Sequence, residues 1–481
     1  MRYLRDAARA FAATLAATLL SGCTAFTLPT APNLYADPKG DTSAFDRIPE
    51  KLRSPEVTVL YATDRDPADH DGRPGYGIGR CEQVALGTCV VRMEGKSGTW
   101  EEVVAASTIA GKGDDVRLAM VSFEEVERFR AVDARLMSNA PIPLPEPPEL
   151  AQSRRDFVER VHALLKPRLD AAPQKEIFLF VHGYNNTFEE GALRAAQIWH
   201  FVGREGVPVL WSWPAGSPGL LRGYTHDRES SEFTVPHLKA FLLALASCPG
   251  LEKINIVAHS RGTDVVFSAL RELHLEARGA GRDTRQVLRL GNVVLAAPDI
   301  DMEVFLARMR SDYVGYIPER FTIYVSPNDS AIGVSAWLFG SVRRLGQADA
   351  RWLPPDLQAG LRAHPVLSVV DVRASTIGMG HDYFLTNPAV LTDLILVLRD
   401  HRAPGAENGR PLERQPSGFW RLDNGYPFRA PSKVRSGDIG APQIPPLPEE
   451  EPPPPAPASS APAASAPFSS AAGANAAAAH P

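Results

Sequence analysis

Ser260 stands in Ala258-His259-Ser260-Arg261-Gly262, directly after the apolar run Ile254-Asn255-Ile256-Val257 and before a stretch of helical period. A serine in a sharp turn between strand and helix lifts its hydroxyl above the sheet, and small residues on either side relieve crowding at that strained turn. The chemistry would be nucleophilic attack on an acyl carbon, which needs a base and two donors for the oxyanion that develops. The bare pattern is common by chance, and a serine that only caps the following helix is the plainer reading. The rest of the constellation has to decide.

A second run, Ile177-Phe178-Leu179-Phe180-Val181-His182-Gly183-Tyr184-Asn185-Asn186, reads as a buried strand that ends in His-Gly one strand and helix upstream. Gly183 lets the backbone approach a substrate, and the amides of Tyr184 and Arg261 together make an oxyanion hole. His182 and Gly183 would then border the substrate, unless His182 only closes the strand with local bonds. The order of such sites is nucleophile, acid, histidine. Of His364, His381, His401 and His480, only His381 follows an apolar run on a flexible loop, in Gly378-Met379-Gly380-His381-Asp382-Tyr383. It is the expected general base. For the acid, Asp329 in Ser326-Pro327-Asn328-Asp329-Ser330 is favoured by strand order, with Asp299 in Ala297-Pro298-Asp299-Ile300-Asp301 as the alternative.

Such side chains need a rigid platform. Continuously apolar runs at 177–181, 207–213, 254–258, 293–297, 321–325 and 366–372 alternate with helical patterns at 188–203, 229–246, 262–276, 302–310 and 388–401. This predicts an α/β fold, a mostly parallel sheet with helices on both faces. Ahead of it, runs at 57–62, 84–92 and 102–109 read as further strands, separated by turns such as Asp71-Gly72-Arg73-Pro74-Gly75. Trp213, Pro214 and the 215–223 loop shape the substrate side of the site or are plain core packing, and Tyr224 and Asp227 are polar candidates near that rim. Trp211 and Trp337-Leu338-Phe339 read first as core packing.

Composition narrows the function. The 51 basic and 56 acidic residues give a net charge of −5, so there is no basic field for nucleic acid. After residue 22 no run approaches the ~18 apolar residues of a spanning helix, which excludes a helical channel or transporter. Arg2, Arg5 and Arg9 precede an uncharged stretch at 11–20 and then Leu20-Ser21-Gly22-Cys23, the order of an export signal. The tetrad resembles the lipobox of bacterial lipoproteins, which implies acylation of Cys23 and anchoring in the cell envelope. Thr24 in place of Asp points to the outer membrane of a Gram-negative host. The expected organisation is a signal peptide at 1–22, a tether at 23–55, a catalytic domain at 56–430 and a disordered Pro/Ala-rich tail at 431–481, suited to an envelope partner. In an oxidising compartment Cys81 and Cys89 read either as a hairpin disulfide or as two separate buried thiols, and Cys248 as a small core residue. Gly95-Lys96-Ser97 has Val90 where a phosphate loop needs glycine. No HExxH or paired-cysteine pattern occurs, so neither a metal nor another cofactor is expected.

The set Val59-Leu60-Tyr61-Ala62-Thr63-Asp64-Arg65, Phe180-Val181-His182-Gly183-Tyr184-Asn185, Trp211-Ser212-Trp213-Pro214, Ala258-His259-Ser260-Arg261-Gly262, Ala297-Pro298-Asp299-Ile300-Asp301 and Gly380-His381-Asp382-Tyr383 resembles a largely uncharacterised bacterial branch of the α/β-hydrolase superfamily, described as esterase/lipase-like. The resemblance implies a Ser-His-Asp hydrolase carried by Ser260, His381 and Asp329. Two departures stand out. Ala258 replaces the first glycine of the elbow, and Arg261 replaces a residue that is more often uncharged, so its side chain would favour anionic substrates or obstruct bulky ones. The expected activity is cleavage of a carboxylic ester; thioester hydrolysis and acyl transfer use the same parts. The rival expectation is a catalytically silent lipoprotein that uses the scaffold for binding or support.

Overall fold

The apolar runs become the middle of one eleven-stranded sheet. The computed structural model describes residues 26–37, 41–70, 73–109, 112–130, 148–217, 220–338, 343–376 and 379–427. Its strands are β1 (Glu56–His70), β2 (Arg73–Glu94), β3 (Arg117–Arg130), β4 (Glu176–Val181), β5 (Val207–Ser212), β6 (Lys253–His259), β7 (Leu290–Ala296), β8 (Arg320–Val325), β9 (Leu367–Val372), β10 (Glu413–Arg414) and β11 (Trp420–Leu422). They lie in the order β10-β11-β9-β8-β7-β6-β4-β5-β1-β2-β3. From β11 to β1 every neighbour is parallel, while β2, β3 and β10 are antiparallel additions at the two edges. Strands β4, β5 and β8 are buried along their whole length, because helices cover both faces. Ile177, Leu179 and Val181 face one core, whereas Phe178 and Phe180 face the other. The helix Phe188–Phe201 starts with a capping box between Thr187 and Glu190, which fixes where the chain leaves the loop after β4.

Four expectations need correction. Residues 102–109 are not a strand but most of the helix Trp100–Thr108. Thr99 caps it through the Glu102 amide at 3.3 Å, and the Glu102 carboxylate takes the amides of Lys96, Ser97 and Gly98 at 2.6, 2.7 and 3.1 Å. That capping outweighs the β-propensity of Val103 and Val104, and it fills with a carboxylate the turn that superficially suggested a phosphate loop. Second, Cys81 and Cys89 do not pair. They sit on the single strand β2, eight residues and so roughly 25 Å apart, and both thiols are free. Third, the helix at 229–246 is two, Leu220–Phe233 and Val235–Ala246, because Pro236 lacks the N–H that would continue the first and instead opens the second.

Fourth, the described part of the expected tether, 26–37 and 41–55, is packed on the body. Leu28, Ala31, Tyr35, Phe45 and Ile48 are buried. Leu28 N–H donates to Val116 at 3.0 Å, Leu118 N–H to Phe26 at 2.7 Å, and the Tyr35 hydroxyl to the Phe201 carbonyl at 2.7 Å. These apolar residues have no period because the segment is irregular and each is buried separately. At the other end Arg410 grips the buried Asp393 with two bonds of 2.9 and 2.7 Å, and Tyr324 and Tyr426 donate to the same carboxylate. The signal at 1–22, Cys23 and the tail at 431–481 lie outside the described residues.

Candidate active site

The parallel strands share one direction, so the segments after β4, β6, β8 and β9 emerge at the same end of the sheet, where α/β folds place their sites. Ser260 follows β6 with φ 51°, left-handed for a non-glycine residue, and is 6% exposed. That conformation costs about 1–2 kcal/mol. It is held by its amide, which donates to the Ala296 carbonyl at 3.0 Å, and by its carbonyl, which accepts from the amides of Thr263 and Asp299 at 3.1 and 3.2 Å. Two glycines make room. A Cβ on Gly262 would lie 2.2 Å from the His182 carbonyl oxygen, and one on Gly183 would lie 2.7 Å from the Ser260 Cβ.

Asp329 follows β8 and is fully buried. One of its oxygens accepts from the Ile332 amide at 3.1 Å, and the other lies 2.8 Å from His381 Nδ1. Nδ1 therefore donates, and Nε2 is the nitrogen left for a reacting partner. Burial disfavours the imidazolium of His381, but the hydrogen bond and charge of Asp329 outweigh it, and the pKa is raised above the ordinary value. Asp299 does not reach a histidine. Its carboxylate is taken by the Tyr224 hydroxyl, by Ser335 Oγ at 2.7 Å and by the Arg344 guanidinium at 3.6 Å. The His381 ring lies 4.6 Å from that of His259, the residue before Ser260, and His259 in turn stacks on Phe384 at 4.7 Å. Asp382 is clamped between Arg194 at 3.0 Å and His259 at 3.6 Å. Burial would raise the Asp382 carboxyl, yet Arg194 and the two imidazoles hold it down at about 2.

The amides of Tyr184 and Arg261 donate to no protein acceptor among the described residues. The buried Asp227 carboxylate shapes the loops around them: it accepts from the amides of Asn185 and Gly216 at 2.9 and 3.1 Å, which ties the turn after β4 to the one after β5. Asn185 is itself left-handed, at φ 54°. The Arg261 side chain is directed into a network of its own. It pairs with Asp264 at 3.1 Å, donates to Ser231 at 3.2 Å and reaches the Asp299 carbonyl at 3.3 Å. Its guanidinium is thus held by protein acceptors.

The family described as "Alpha/beta hydrolase of unknown function (DUF900)" matches residues 159–399. The chain belongs to that family. No curated protein matches it. Among solved structures it is similar to a lipase-esterase related protein from Clostridium acetobutylicum ATCC 824, at 10% identity over 46% of this chain and 93% of that one, with a TM-score of 0.21. It is also similar to a hydrolase from Oleispira antarctica, at 14% identity over 45% and 79% of the two chains, with a TM-score of 0.19. The family membership and the mostly parallel, helix-covered sheet establish the α/β-hydrolase fold.

Within this family member the other expected site residues divide. Gly183 lies against Ser260, as its spacing requires. His182 does not face a substrate, which corrects its expected role. It is fully buried, Nδ1 donates to the Gly183 carbonyl at 3.0 Å, and Nε2 accepts from the Trp213 amide at 3.1 Å. Burial, reinforced by Arg65, pushes its pKa well below the ordinary value, so the ring is neutral. Trp213 is likewise corrected from substrate contact to support. It stacks on His182 at 5.3 Å and its indole donates to the His182 carbonyl at 2.7 Å. Tyr224 is buried against the Tyr184 ring at 5.2 Å, its hydroxyl on Asp299. Cys248 is buried in the core.

Sequence reasoning assigned no role to Arg65, Arg194 or Asp382. Arg65 is almost wholly buried and donates to Gly77, Ala215 and Asn186 carbonyls at 3.0, 2.7 and 2.7 Å, so it binds the turns after β4 and β5 to the β1–β2 hairpin. Burial lowers its pKa to about 10. The charged pair Asp64-Arg65 at the end of an apolar run was its one signal. Arg194, inside a long amphipathic helix, had none. Among the described residues no group of three or more His, Cys, Asp or Glu is placed to hold a metal ion.

Proposed function

We propose that the protein is a serine hydrolase of carboxylic esters. The observation that carries the reading is the Asp329–His381 hydrogen bond of 2.8 Å, with the His381 ring 4.6 Å from that of His259, the residue before a serine held in a left-handed turn. Ser260 Oγ forms a bond to the acyl carbon as its proton passes to His381 Nε2, and the negative charge on the former carbonyl oxygen is met by the amides of Tyr184 and Arg261. The carbon–alkoxide bond then breaks, and the alcohol leaves with the proton from His381. Water, deprotonated by the same nitrogen, releases the acid and restores Ser260. Asp329 keeps His381 in the tautomer that accepts at Nε2. The lipobox at Cys23 supports anchoring of the enzyme in a bacterial envelope by an N-terminal lipid, with the tail at 431–481 available to a partner there. Among the described residues no helix is long and apolar enough to cross a membrane.

A fluorophosphonate probe tests the nucleophile directly. Wild-type protein is expected to be labelled and to turn over short p-nitrophenyl esters, and Ser260→Ala to lose both, with turnover down at least 10³-fold. Labelling that survives in Ser260→Ala would place the nucleophile elsewhere. A folded wild type that neither labels nor turns over ester would favour a silent scaffold.

A further inference from the structure

The described chain begins with Phe26, whose carbonyl pairs with the start of β3 and whose ring reaches a residue near the site. Phe26 packs its ring 5.3 Å from the guanidinium of Arg194, the same arginine that clamps Asp382 beside His381. The next residue, Thr27, accepts from Gln197 Nε2 at 2.8 Å. Read backwards, residues 27 and 26 pass Gln197 and then Arg194, so the chain climbs toward the start of the helix Phe188–Phe201. That start follows the carboxyl end of β4, the end where the Ser260 turn lies. Cys23 is three residues from Phe26 and therefore at most ~10 Å from it along the chain. With 26–37 packed on the body, little chain is left between the acylated cysteine and the domain, and the lipid enters the bilayer close to the site.

The exposed apolar side chains agree with that placement. Met379 is on the His381 loop, Ile78 borders the turn at Gly216 and Asn186, and Val304 lines the polar cavity of about 480 Å³ beside Arg261 and Tyr224. Scattered exposed residues are ordinary by themselves. Among the described residues three of the seven exposed large apolar side chains thus lie on segments that follow the carboxyl ends of the strands or pack against them, and Phe26 reaches Arg194, which bonds Asp382 of the His381 loop.

We infer that this face rests on the bilayer, so that the active site opens toward the membrane surface and its substrates are esters resident in the lipid leaflet. The inference rests on the reading of Ser260 as nucleophile and Cys23 as lipid anchor, but its orientation is measurable without turnover. A photoreactive benzoylphenylalanine is placed in turn at Ile78, Val304, Met379, Leu243 and Leu275 of the full-length acylated protein, in phosphatidylethanolamine/phosphatidylglycerol vesicles. Illumination is expected to give at least five-fold more lipid adduct at 78, 304 and 379 than at 243 and 275, which are equally apolar and exposed, and Cys23→Ser is expected to abolish the difference. Equal adducts at all five positions, or more at 243 and 275, would overturn the orientation whether or not the enzyme is active. In the active protein, Ile78→Asp with Val304→Asp is expected to lower turnover of a vesicle-embedded fluorogenic ester about ten-fold and to leave a soluble short-chain ester unaffected. An equal loss on both esters would count against membrane contact.

Discussion

Two histidine–carboxylate pairs lie at opposite ends of the same sheet. At the carboxyl end His381 Nδ1 is 2.8 Å from Asp329; at the amino end His401 Nε2 is 3.1 Å from Glu176. The lower pair belongs to a closed ring. The second oxygen of Glu176 accepts from Asn255 at 2.6 Å, Asn255 accepts from Asn292 at 2.9 Å, and Asn292 donates to His401 Nδ1 at 2.8 Å. Both nitrogens of His401 are occupied inside that ring, so it has none to offer a ligand. His381 uses only one, and the other is available next to a turn whose strain is held by Gly183 and Gly262. The contrast teaches that a carboxylate beside an imidazole is a common device for orienting a ring. Such a ring can serve as a base only where its second nitrogen is left open, which is the condition the proposed role of His381 requires.

The sharpest way to break this contrast is to remove the carboxylate charge at each end. Asp329→Asn is expected to lower kcat on the order of 10³–10⁴-fold, with a stability loss of about 1.5–3 kcal/mol because its hydrogen bond to His381 is also buried and charged. Glu176→Gln is expected to leave kcat unchanged while lowering stability by about 1.5–3 kcal/mol, since a buried charged hydrogen bond is lost. Equal kinetic losses in the two variants, followed by steady-state assay and thermal denaturation, would erase the distinction. A smaller effect tests whether the upper pair depends on its surroundings. Arg194→Ala frees Asp382 and the His381 loop, and is expected to lower kcat about ten-fold with KM nearly constant, while Arg194→Lys restores most of the rate. The mildest test is the pH profile. His381 accepts a proton only when neutral, and its folded pKa is raised above 6.5 because Asp329 favours the imidazolium over the cost of burial. Activity should therefore fall as pH drops through a midpoint above 6.5, about ten-fold per unit below it. A midpoint below 6.5 would mean that burial, not Asp329, dominates in the free enzyme.

Much of the upper site was legible because its residues obey local rules. A small-x-Ser-x-Gly turn can be read from five residues, and the strand-to-histidine order singles out His381 from the others. Asp329 and Asp299 were harder to separate, since both follow strands; the choice turns on which neighbouring loop carries the histidine. The lower ring was invisible. Glu176, Asn255, Asn292 and His401 are scattered over more than two hundred residues; adjacent parallel strands bring the first three together, and the end of the helix Pro388–Leu398 delivers His401. His182 was misjudged for the same reason: its place in a motif gave it a role near substrate, whereas Trp213 and Arg65, from other strands, enclose it.

The amino-acid sequence by itself determined the α/β class and the six central strands, and it named Ser260, His381 and Asp329 as candidates, because continuous apolar runs and tight turns are decided within a few residues of one another. Tertiary structure alone decided which carboxylate meets His381, that Cys81 and Cys89 lie apart on one strand, and that the segment 26–37, with Phe45 and Ile48 after it, is packed rather than free. Each of these depends on contacts between segments far apart in the chain, where the cost of burying a charge or leaving a donor unpaired is settled by neighbours that local pattern does not name.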